Sequence, residues 1–567
     1  MRPPRNDMTD LEKNPAMTGS MQHWPLLIWK LIDHAALNHP ATEIVTRTVE
    51  GPLHRSTWAQ AHTRAKRVAG ALRALGVQAG DRVGTLAWNT VRHLECWYGI
   101  SGMGAVAHTI NPRLFVDQIV YIVNHARDRV LFFDLSFVDL VRQIAPRLET
   151  VEHFVILTDG EHMPPQEAAR LLCYEDLLAM QNGDEPWAEL DENSPAGLCY
   201  TSGTTGNPKG VLYTHRSTVL HAWSVCQPDL LGMSARTSAL PVVPMFHANA
   251  WGIPHAAAAV GAKLVMPGPD LAAPALQRLI VDERVTLTAA VPTVWLAVLA
   301  HLEREGGDLG VLERLIIGGA AAPPSMIEAF EQRYGVSVAH MWGATELSPV
   351  GSSGMLCASA AALSPARQLE LKCTQGRAPF GVEMVLRDDE GRTLPRDGVQ
   401  RGRLAVRGPW VVDRYFDSEG GHARDRRDAD DWFDTGDIAT IDERGYMRIV
   451  DRAKDVIKSG GEWISSIELE NAAMGCPGVA EVAVIGVDDP KWGERPAMLL
   501  TREAGAAVAQ ADVKAWLRER VAKWWMPEHV IFIESMPHTA TGKIMKTALR
   551  EQFGAAGSKP EKGGVKP

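Results

Sequence analysis

Short β-rich runs alternate with helical patterns through most of the first 350 residues of the chain. The helical segment "TWAQAHTRAKRVAGALRAL" (57–75) is followed by the strand-like "RVGTLAW" (82–88), while "RVLFFDL" (129–135) and "HFVILTD" (153–159) have the composition of buried strands. Helices between successive strands are typical of parallel sheets that are covered on both faces. The alternation therefore predicts an α/β fold.

The second half of the chain has a different pattern. Between residues 351 and 450, short strands are separated by D-E-G and E-R-G turns, which is typical of an antiparallel sheet or barrel. After Asp451, helical and strand-like segments alternate again over about 115 residues, which is a common domain size. The whole chain has 567 residues, more than the roughly 250–300 that one core supports, so more than one domain is expected.

Composition excludes several classes of protein. The formal net charge of −10 argues against a general nucleic-acid binder, whose surface would be basic. Seven cysteines are scattered without a C-x-x-C pair, which predicts neither a disulfide framework nor a zinc site and favours a reducing, cytoplasmic setting. The uncharged stretch 237–262 contains three Pro, two His and one Asn, so no integral membrane segment is expected. Residues 1–22 and 553–567 are predicted to be disordered tails.

The segment "YTSGTTGNPKGV", from Tyr200 to Val211, combines hydroxyl side chains, glycines and one lysine. Glycine lets successive backbone N–H groups turn towards an anion, so this composition suits a phosphate-binding loop. The loop differs from the G-x-x-x-x-G-K-[ST] type, because Lys209 follows Pro208 and precedes Gly210. A flexible surface turn rich in Ser and Thr is the alternative interpretation.

Four further motifs follow this loop. They are "MWGATE" (Met341–Glu346), "WFDTGD" (Trp432–Asp437), "DRAKDVIKSGGEWIS" (Asp451–Ser465) and "PHTATGKIMK" (Pro537–Lys546). In this order and at these separations, the five segments resemble the adenylate-forming superfamily of acyl-CoA synthetases, peptide-synthetase adenylation domains and beetle luciferases. The resemblance extends from about Leu26 to Leu549. It implies an AMP-forming acid–thiol ligase, which activates a carboxylic acid with ATP and transfers the acyl group from the adenylate to coenzyme A.

The resemblance also implies a domain organisation. A large N-terminal AMP-binding domain (23–450) would combine two α/β subdomains with parallel sheets and a small antiparallel, β-barrel-like subdomain at about 351–450. A hinge at 451–455 would connect this domain to a mobile α+β C-terminal catalytic lid domain (456–552). The small domain would rotate about Lys454 between the two half-reactions. Many family members have Asp at this position, so the hinge role of Lys454 stays open.

For ATP, the resemblance implies donors to the phosphates and a pocket for adenosine. The β- and γ-phosphates would be bound by the loop residues Thr201, Ser202, Gly203, Thr204, Thr205 and Gly206, with Lys209 beside them. One anion must attack another in this reaction, so fixed N–H donors and positive charge are what catalysis needs. In the adenosine pocket, Trp342 and Gly343 would contact the adenine base, and the facing wall would consist of Gly319, Ala320 and Ala321. Asp437 and Arg452 would contact the ribose.

At the reacting centre, the resemblance implies a magnesium ion and a lysine. Glu346 resembles the family's Mg²⁺ ligand, together with Thr204, and Thr345 would contact the α-phosphate. A carboxylate oxygen suits Mg²⁺, which bridges substrate phosphates. Lys543 would reach the α-phosphate and the substrate carboxylate, whereas Lys546 is interpreted as ordinary surface charge.

The acyl pocket is expected at "PMFHANAWG" (244–252), with His247 as a gate beside the substrate carboxylate. The pocket would be lined by Asn249, Trp251, Val291, Pro292 and Gly318. The bulk of Trp251 argues against a very long channel, and no charged residue in the segment could pair with a charged substrate tail. A histidine packed in the core is the alternative for His247. Together with 104–114 and 523–528, the segment resembles medium-chain fatty acyl-CoA ligases and 3-methylmercaptopropionyl-CoA ligases.

The acceptor is expected at the "KSGGEWIS" loop, whose residues Lys458, Ser459, Gly460, Gly461 and Glu462 would line a pantetheine tunnel. Glycine there would let the backbone line a narrow passage. CoA and carrier proteins both present pantetheine, so a free-standing enzyme that loads a carrier protein stays open. A catalytically inactive nucleotide or acyl-CoA sensor is a third hypothesis, against which the complete set of site residues argues. The resemblance also allows a homodimer.

Overall fold

The computed structural model describes residues 20–165, 171–201, 207–416, 430–459, 462–503, 505–538 and 544–554. Several predicted site residues lie outside these ranges, namely Ser202, Gly203, Thr204, Thr205, Gly206, Gly460, Gly461 and Lys543. Most of the two predicted tails, residues 1–19 and 555–567, lies outside them as well.

Strands and helices alternate along the chain as the sequence predicts. In chain order the strands are β1 (Glu43–Arg47), β2 (Leu53–Thr57), β3 (Arg82–Leu86), β4 (Val106–Thr109), β5 (Asp128–Phe133), β6 (His153–Ile156), β7 (Leu171–Cys173), β8 (Pro195–Tyr200), β9 (Gly210–Thr214), β10 (Ser238–Pro241), β11 (Lys263–Met266), β12 (Leu287–Ala290), β13 (Arg314–Ile317), β14 (Ser337–Gly343), β15 (Val350–Ser353), β16 (Glu383–Arg387), β17 (Gly402–Arg407), β18 (Phe433–Ile441), β19 (Met447–Arg452), β20 (Ile457–Ser459), β21 (Glu462–Ile464), β22 (Val479–Asp489), β23 (Gly493–Arg502) and β24 (His529–Phe532).

The α-helices are Trp29–Asn38, Trp58–Ala74, Val91–Gly102, Val116–Ala126, Val138–Ile144, Tyr174–Ala179, His215–Val225, Ile253–Val260, Ala273–Asp282, Pro292–Glu305, Pro324–Glu328, Ala358–Ala361, Pro365–Lys372, Ser466–Met474, Gln510–Arg518 and Lys546–Phe553. Within the described ranges, none of them combines the length and the apolar character that a bilayer crossing requires.

Two large sheets form the first part of the molecule. One has seven strands in the order β7-β6-β5-β3-β4-β8-β9, and its neighbours are parallel except for the β8–β9 pair. The other has eight strands in the order β15-β14-β13-β12-β10-β11-β1-β2, with antiparallel pairs only at its two edges. Parallel strands need helical crossovers, which explains the alternation along the chain.

The helix Trp58–Ala74 illustrates how local sequence and packing agree. Its first turn is closed by a capping box, in which Thr57 Oγ1 accepts from the Gln60 N–H at 3.4 Å and Gln60 Oε1 accepts from the Thr57 N–H at 3.0 Å. The Trp58 ring is fully buried, and its Nε1 donates to the carbonyl of Ala262 at 2.9 Å. This contact ties the helix to the segment that leads into β11.

Two smaller sheets follow, and both are mainly antiparallel. Strands β16, β17, β18 and β19 form a four-stranded meander, as the turn pattern between 351 and 450 predicts. The C-terminal sheet has the order β21-β20-β23-β22, and β24 pairs with β23 in parallel. The helices Ser466–Met474 and Gln510–Arg518 accompany this last sheet, whose core includes Leu469, Val484 and Leu517. The predicted α/β fold with a C-terminal α+β unit is confirmed.

Candidate active site

Asp437 is a buried carboxylate where the eight-stranded sheet meets the antiparallel meander. It lies in β18, pairs with Arg452 of β19 across the sheet, and its side chain is 3% exposed. Trp342 at the end of β14 donates its Nε1–H to Oδ2 at 3.0 Å, and Arg452 Nε lies 2.9 Å from Oδ1. Three predicted adenosine residues are therefore brought together, although sequence alone did not indicate that the tryptophan bonds to the aspartate.

Glu346 lies one turn beyond Trp342, in the short 3₁₀ helix Thr345–Leu347. Its Oε1 accepts from the Tyr415 hydroxyl at 2.7 Å, and its backbone carbonyl accepts from the Val412 N–H at 2.7 Å. The buried Tyr213 hydroxyl donates to the Thr345 carbonyl at 2.7 Å. The backbone and one oxygen of this carboxylate are thus fixed by described residues.

The ends of the glycine-rich loop close the β8–β9 hairpin. The Thr201 N–H donates to the Lys209 carbonyl at 2.9 Å, and the Lys209 N–H donates to Thr201 Oγ1 at 3.3 Å. Lys209 Nζ lies 5.0 Å from the centre of the Tyr415 ring, a cation–π distance. Tyr415 therefore connects the loop lysine to Glu346. Sequence analysis missed it, because Tyr415 lies between β17 and β18 in a segment without periodicity.

The residues predicted to form the second adenine wall follow β13. Gly319 has φ of 81°, a conformation that favours glycine, and a Cβ there would lie 3.3 Å from Val291 Cγ1. Val291, a predicted pocket residue, therefore borders Gly319, and it directly precedes the helix Pro292–Glu305. Gly319, Ala320 and Gly343 are exposed, whereas Ala321 and Trp342 are half-buried. His340 Nε2 lies 3.2 Å from the Ala320 carbonyl.

The predicted acyl segment has a strained backbone. Four consecutive non-glycine residues lie in the left-handed region: Ala248, Asn249, Ala250 and Trp251 have φ of 44°, 52°, 47° and 54°. Left-handed conformations normally occur as single residues, because the Cβ approaches the following carbonyl. The Ala250 N–H donates to the Pro244 carbonyl at 3.1 Å, and His247 begins the turn half-buried.

The turn directs Trp251 and Asn249 to two different places. A Cβ on Gly318 would lie 2.9 Å from Trp251 Cη2, so the indole packs directly against that glycine. Asn249 Oδ1 is buried and has no hydrogen-bond partner among the described residues, and Asn249 lines a cavity of about 20 Å³ together with Thr109 and His255. A cavity of this size has room for one water. The structure therefore brings Trp251 to Gly318 but directs Asn249 elsewhere.

Buried histidines surround this region. The His221 ring accepts a hydrogen bond at Nε2 from the Val350 N–H at 3.2 Å, and burial lowers its pKa to about 3. His255 stacks on Trp97 with 5.3 Å between ring centres, and burial lowers its pKa to about 4. Desolvation disfavours the charged imidazole, so these rings are neutral at pH 7.

The described pantetheine candidates lie in two paired strands. Ser459 of β20 pairs with Glu462 of β21, while Gly460 and Gly461 lie outside the described residues. Arg495 donates to Ser459 Oγ at 3.2 Å, and the Lys458 N–H donates to Glu494 Oε2 at 2.8 Å.

The last helix is attached to the predicted hinge segment. Arg550 lies 2.6 Å from Asp455 Oδ1, and both line a cavity of about 300 Å³ together with Lys454. Lys546 Nζ lies 2.7 Å from Glu470 Oε1, and its side chain is only 14% exposed. The interpretation of Lys546 as ordinary surface charge is therefore wrong, because the residue forms an ion pair inside the C-terminal unit.

Two family models match the chain. That of AMP-binding enzymes matches residues 32–416, and that of the AMP-binding enzyme C-terminal domain matches residues 468–543. The chain belongs to the AMP-binding enzyme family. The predicted membership of the adenylate-forming superfamily is thereby confirmed, and with it the prediction of an enzyme.

Relatives with similar sequences are CoA ligases. The chain is 49% identical over 537 residues to a 3-methylmercaptopropionyl-CoA ligase of Ruegeria lacuscaerulensis, which covers 95% of this chain and 99% of the relative. It is 46% identical to a medium-chain-fatty-acid–CoA ligase of Ectopseudomonas oleovorans, with 95% and 98% covered. Among solved structures, an anthranilate CoA ligase in complex with anthranoyl-AMP has a TM-score of 0.81 and 26% identity, with 93% and 98% covered.

Proposed function

We propose that the chain is an AMP-forming acyl-CoA ligase. A carboxylate oxygen of the acid attacks the α-phosphorus of ATP, pyrophosphate leaves, and the acyl-adenylate retains the AMP moiety. The thiol of CoA then attacks the acyl carbon, loses its proton and displaces AMP to give the thioester. The observation that carries the proposal is the buried Asp437, which is held by Trp342 and Arg452 beside Glu346.

Asp437 suits the ribose of ATP. A carboxylate accepts hydrogen bonds from both hydroxyls of a ribose, and acidic residues recur at this place in nucleotide sites. The bonds from Trp342 and Arg452 fix its orientation before a ligand arrives. The indole of Trp342 and the segment Gly319–Ala321 would form the two faces between which adenine lies.

The phosphate end fits a magnesium ion. Glu346, with Thr204 from the loop, would hold Mg²⁺, which supplies positive charge to the phosphates. Tyr415 orients Glu346 and lies under the Lys209 ammonium group, so one ring aligns a carboxylate and a cation. Lys543 would bring a second positive charge to the α-phosphate from the C-terminal domain. Fixed charges of this kind stabilise the charge that develops during transfer.

The proposed acyl pocket favours a compact acid that carries no charge apart from its carboxylate. Trp251 packs against Gly318 and would limit the length of the pocket, with His247 at its entrance and Val291 and Pro292 beside it. The segment 244–252 contains no Asp, Glu, Lys or Arg, so a charged tail would lose its hydration without a partner. We propose a medium-chain fatty acid or 3-methylmercaptopropionate, the substrates in the names of the two relatives.

The second half-reaction would use the β20–β21 hairpin. In this proposal the N-terminal domain spans 23–450, the hinge is 451–455 and the C-terminal domain is 456–552. Rotation about Lys454 would withdraw Lys543 and bring Ser459, Gly460 and Gly461 to the adenylate. The residues at 460 and 461 would let pantetheine pass close to the backbone.

A direct assay tests the proposal. The purified chain is incubated with ATP and Mg²⁺, with or without CoA, and with acids from acetate to palmitate, 3-methylmercaptopropionate, benzoate and cinnamate. We expect AMP release that requires CoA, is greatest with a medium-chain or short sulfur-containing acid, and is lost in Lys543→Ala. Pyrophosphate exchange without CoA turnover would indicate a carrier-protein loader instead. Binding of ATP without turnover of any acid would contradict the proposal.

A further inference from the structure

Three side chains that can bind metal meet between the two large sheets. Glu50 lies in the turn that joins β1 to β2 of the eight-stranded sheet, while Asp159 and His162 lie in the loop after β6 of the seven-stranded sheet. One ligand atom from each of the three lies within 4.8 Å of the other two. None of these residues is a candidate for the nucleotide, acyl or pantetheine site.

Glu50 is the member of this cluster that indicates a missing ligand. Its side chain is only 5% exposed. Its Oε1 is fully engaged, because Arg92 lies 2.6 Å away and the Thr158 hydroxyl donates at 2.7 Å. Its Oε2 is buried, and none of the described residues donates a hydrogen bond to it. An unpartnered buried carboxylate oxygen is costly, and an ordered water or cation commonly satisfies it.

The two residues of the loop provide the remaining ligands. His162 Nδ1 lies 2.8 Å from Asp159 Oδ1, and the His162 N–H donates to the same oxygen at 3.0 Å. Zinc binding would release the proton that Nδ1 and Oδ1 share, and both atoms would then bind the metal directly. Both side chains are partly exposed, at 40% and 44%, so a metal can enter from solvent.

The local charge also favours a cation. The guanidinium of Arg92 is shared, because its Nε lies 2.9 Å from Glu175 Oε1 while its NH1 contacts Glu50. The shared positive charge of Arg92 therefore does not balance the two negative charges of Glu50 and Asp159, which lie close together. Two acidic oxygens and one imidazole nitrogen form a ligand set that suits Zn²⁺, whereas Mg²⁺ prefers oxygen ligands alone.

We propose that Glu50, Asp159 and His162 form a zinc site that clamps the β1–β2 turn to the loop after β6. Zinc lies about 2.0–2.2 Å from each such ligand, so on binding Asp159 and His162 would move towards Glu50 and slightly apart from each other. The exposed Asp159 and His162 can make this movement. The site differs in kind from the cysteine sites that the sequence pattern excluded, because its ligands come from distant segments without a recognisable spacing.

Zinc binding to the full chain tests the site without any measurement of activity. The chain is freed of metal with a chelator and titrated with Zn²⁺ in Mg²⁺-free buffer by calorimetry, and Tm is followed in parallel. We expect one saturable site and a rise in Tm, since a ligand that binds only the folded state stabilises it. The affinity should fall at least about tenfold in His162→Asn and in Glu50→Gln, as lost metal partners usually cost that much.

The matched control is His62→Asn. Like His162, His62 lies beside a carboxylate, with its Nε2 2.7 Å from Asp33 Oδ1. This variant should bind zinc like the parent chain. His162 is exposed, so His162→Asn should fold even if Glu50→Gln does not. An equal loss in His62→Asn, an unchanged affinity in both cluster variants, or no saturable binding would overturn the proposal. A loss in His162→Asn alone, with folded Glu50→Gln unaffected, would also overturn it, since the buried carboxylate would then take no part.

Discussion

The proposed nucleotide end and the proposed acyl end of the site are built by different means. At the nucleotide end, charged and polar side chains hold one another: Trp342 and Arg452 hold Asp437, and Tyr415 holds Glu346. At the acyl end, the shape comes from the backbone turn Ala248–Trp251 and from one ring against a glycine. Polar contacts suit a cosubstrate that is always ATP, whereas steric contacts suit discrimination between acids of different length.

The acyl turn must be held by its surroundings. A left-handed conformation costs a non-glycine residue about 1–2 kcal/mol, and four of them follow one another here. Ala248 and Ala250 are buried, and the turn leads directly into the helix Ile253–Val260. Strain of this kind persists where packing determines the backbone and is concentrated at functional sites. Small changes here should therefore alter specificity before they alter the chemical step.

The largest effect is expected at Asp437. In Asp437→Asn the ribose and Arg452 lose a charged partner, and Trp342 loses a strong acceptor. Truncating one partner of a buried charge pair costs about 2–5 kcal/mol; because Arg452 is 46% exposed, the lower value applies and kcat/KM for ATP should fall about 30-fold. Initial rates at varied ATP measure this. An equal loss at saturating and limiting ATP, with KM unchanged, would contradict a role in ATP binding.

A smaller effect is expected at Tyr415. The change Tyr415→Phe keeps the ring beneath Lys209 but removes the hydrogen bond to Glu346, which is worth about 1.5 kcal/mol or roughly tenfold for a charged acceptor. The Mg²⁺ concentration needed for half-maximal rate should rise. Glu346→Gln should raise it further and serves as the reference. If Tyr415→Phe lowered the rate without changing the Mg²⁺ dependence, the hydroxyl would not be orienting Glu346.

At the acyl end, Trp251→Ala should change the acid preference and leave ATP binding intact. Removing the indole that packs against Gly318 opens the pocket, and each methylene buried in the new space is worth about 0.8 kcal/mol, or about fourfold. The acid with the highest kcat/KM should therefore become longer by two or more carbons. Competition between octanoate and decanoate gives the ratio directly. An unchanged ratio would place the length limit elsewhere.

The buried histidines make stability sensitive to acid. The pKa of His221 is lowered from 6.5 to about 3 by burial, so below pH 6.5 the unfolded chain binds a proton that the folded chain does not. This contribution is fully present above pH 6.5 and is lost as pH falls towards about 3, by about 1 kcal/mol between pH 6.5 and 5.5. Tm measured across this range should fall less steeply in His221→Gln than in the parent. The exposed His54 gives the control, His54→Gln, whose slope should match the parent.

The sequence indicated that Trp342, Asp437 and Arg452 lie together, but it did not indicate the backbone of the proposed acyl end. Asp437 and Glu346 occur in short motifs whose resemblance to those of the adenylate-forming superfamily implied their roles. Tyr415 has no such motif, because its role depends on where an irregular segment passes the loop. The left-handed turn contradicts the preferences of alanine and tryptophan, so local sequence argues against it and only tertiary packing produces it. Lys546 was misjudged for the same reason, since its partner Glu470 is distant in sequence.

The smallest expected effect, on the free energy of unfolding, tests whether the turn Ala248–Trp251 is strained. Ala250 has φ of 47°, whereas the equally buried Ala256 lies in the helix Ile253–Val260. Glycine relieves about 1 kcal/mol of left-handed strain at the first position, which offsets its entropic cost, so Ala250→Gly should leave the free energy of unfolding nearly unchanged. At the helical position the same substitution should destabilise by about 1 kcal/mol. Urea unfolding of the two variants compares them. Equal destabilisation would mean that position 250 carries no strain, and the acyl end would then be shaped by side chains alone, like the nucleotide end.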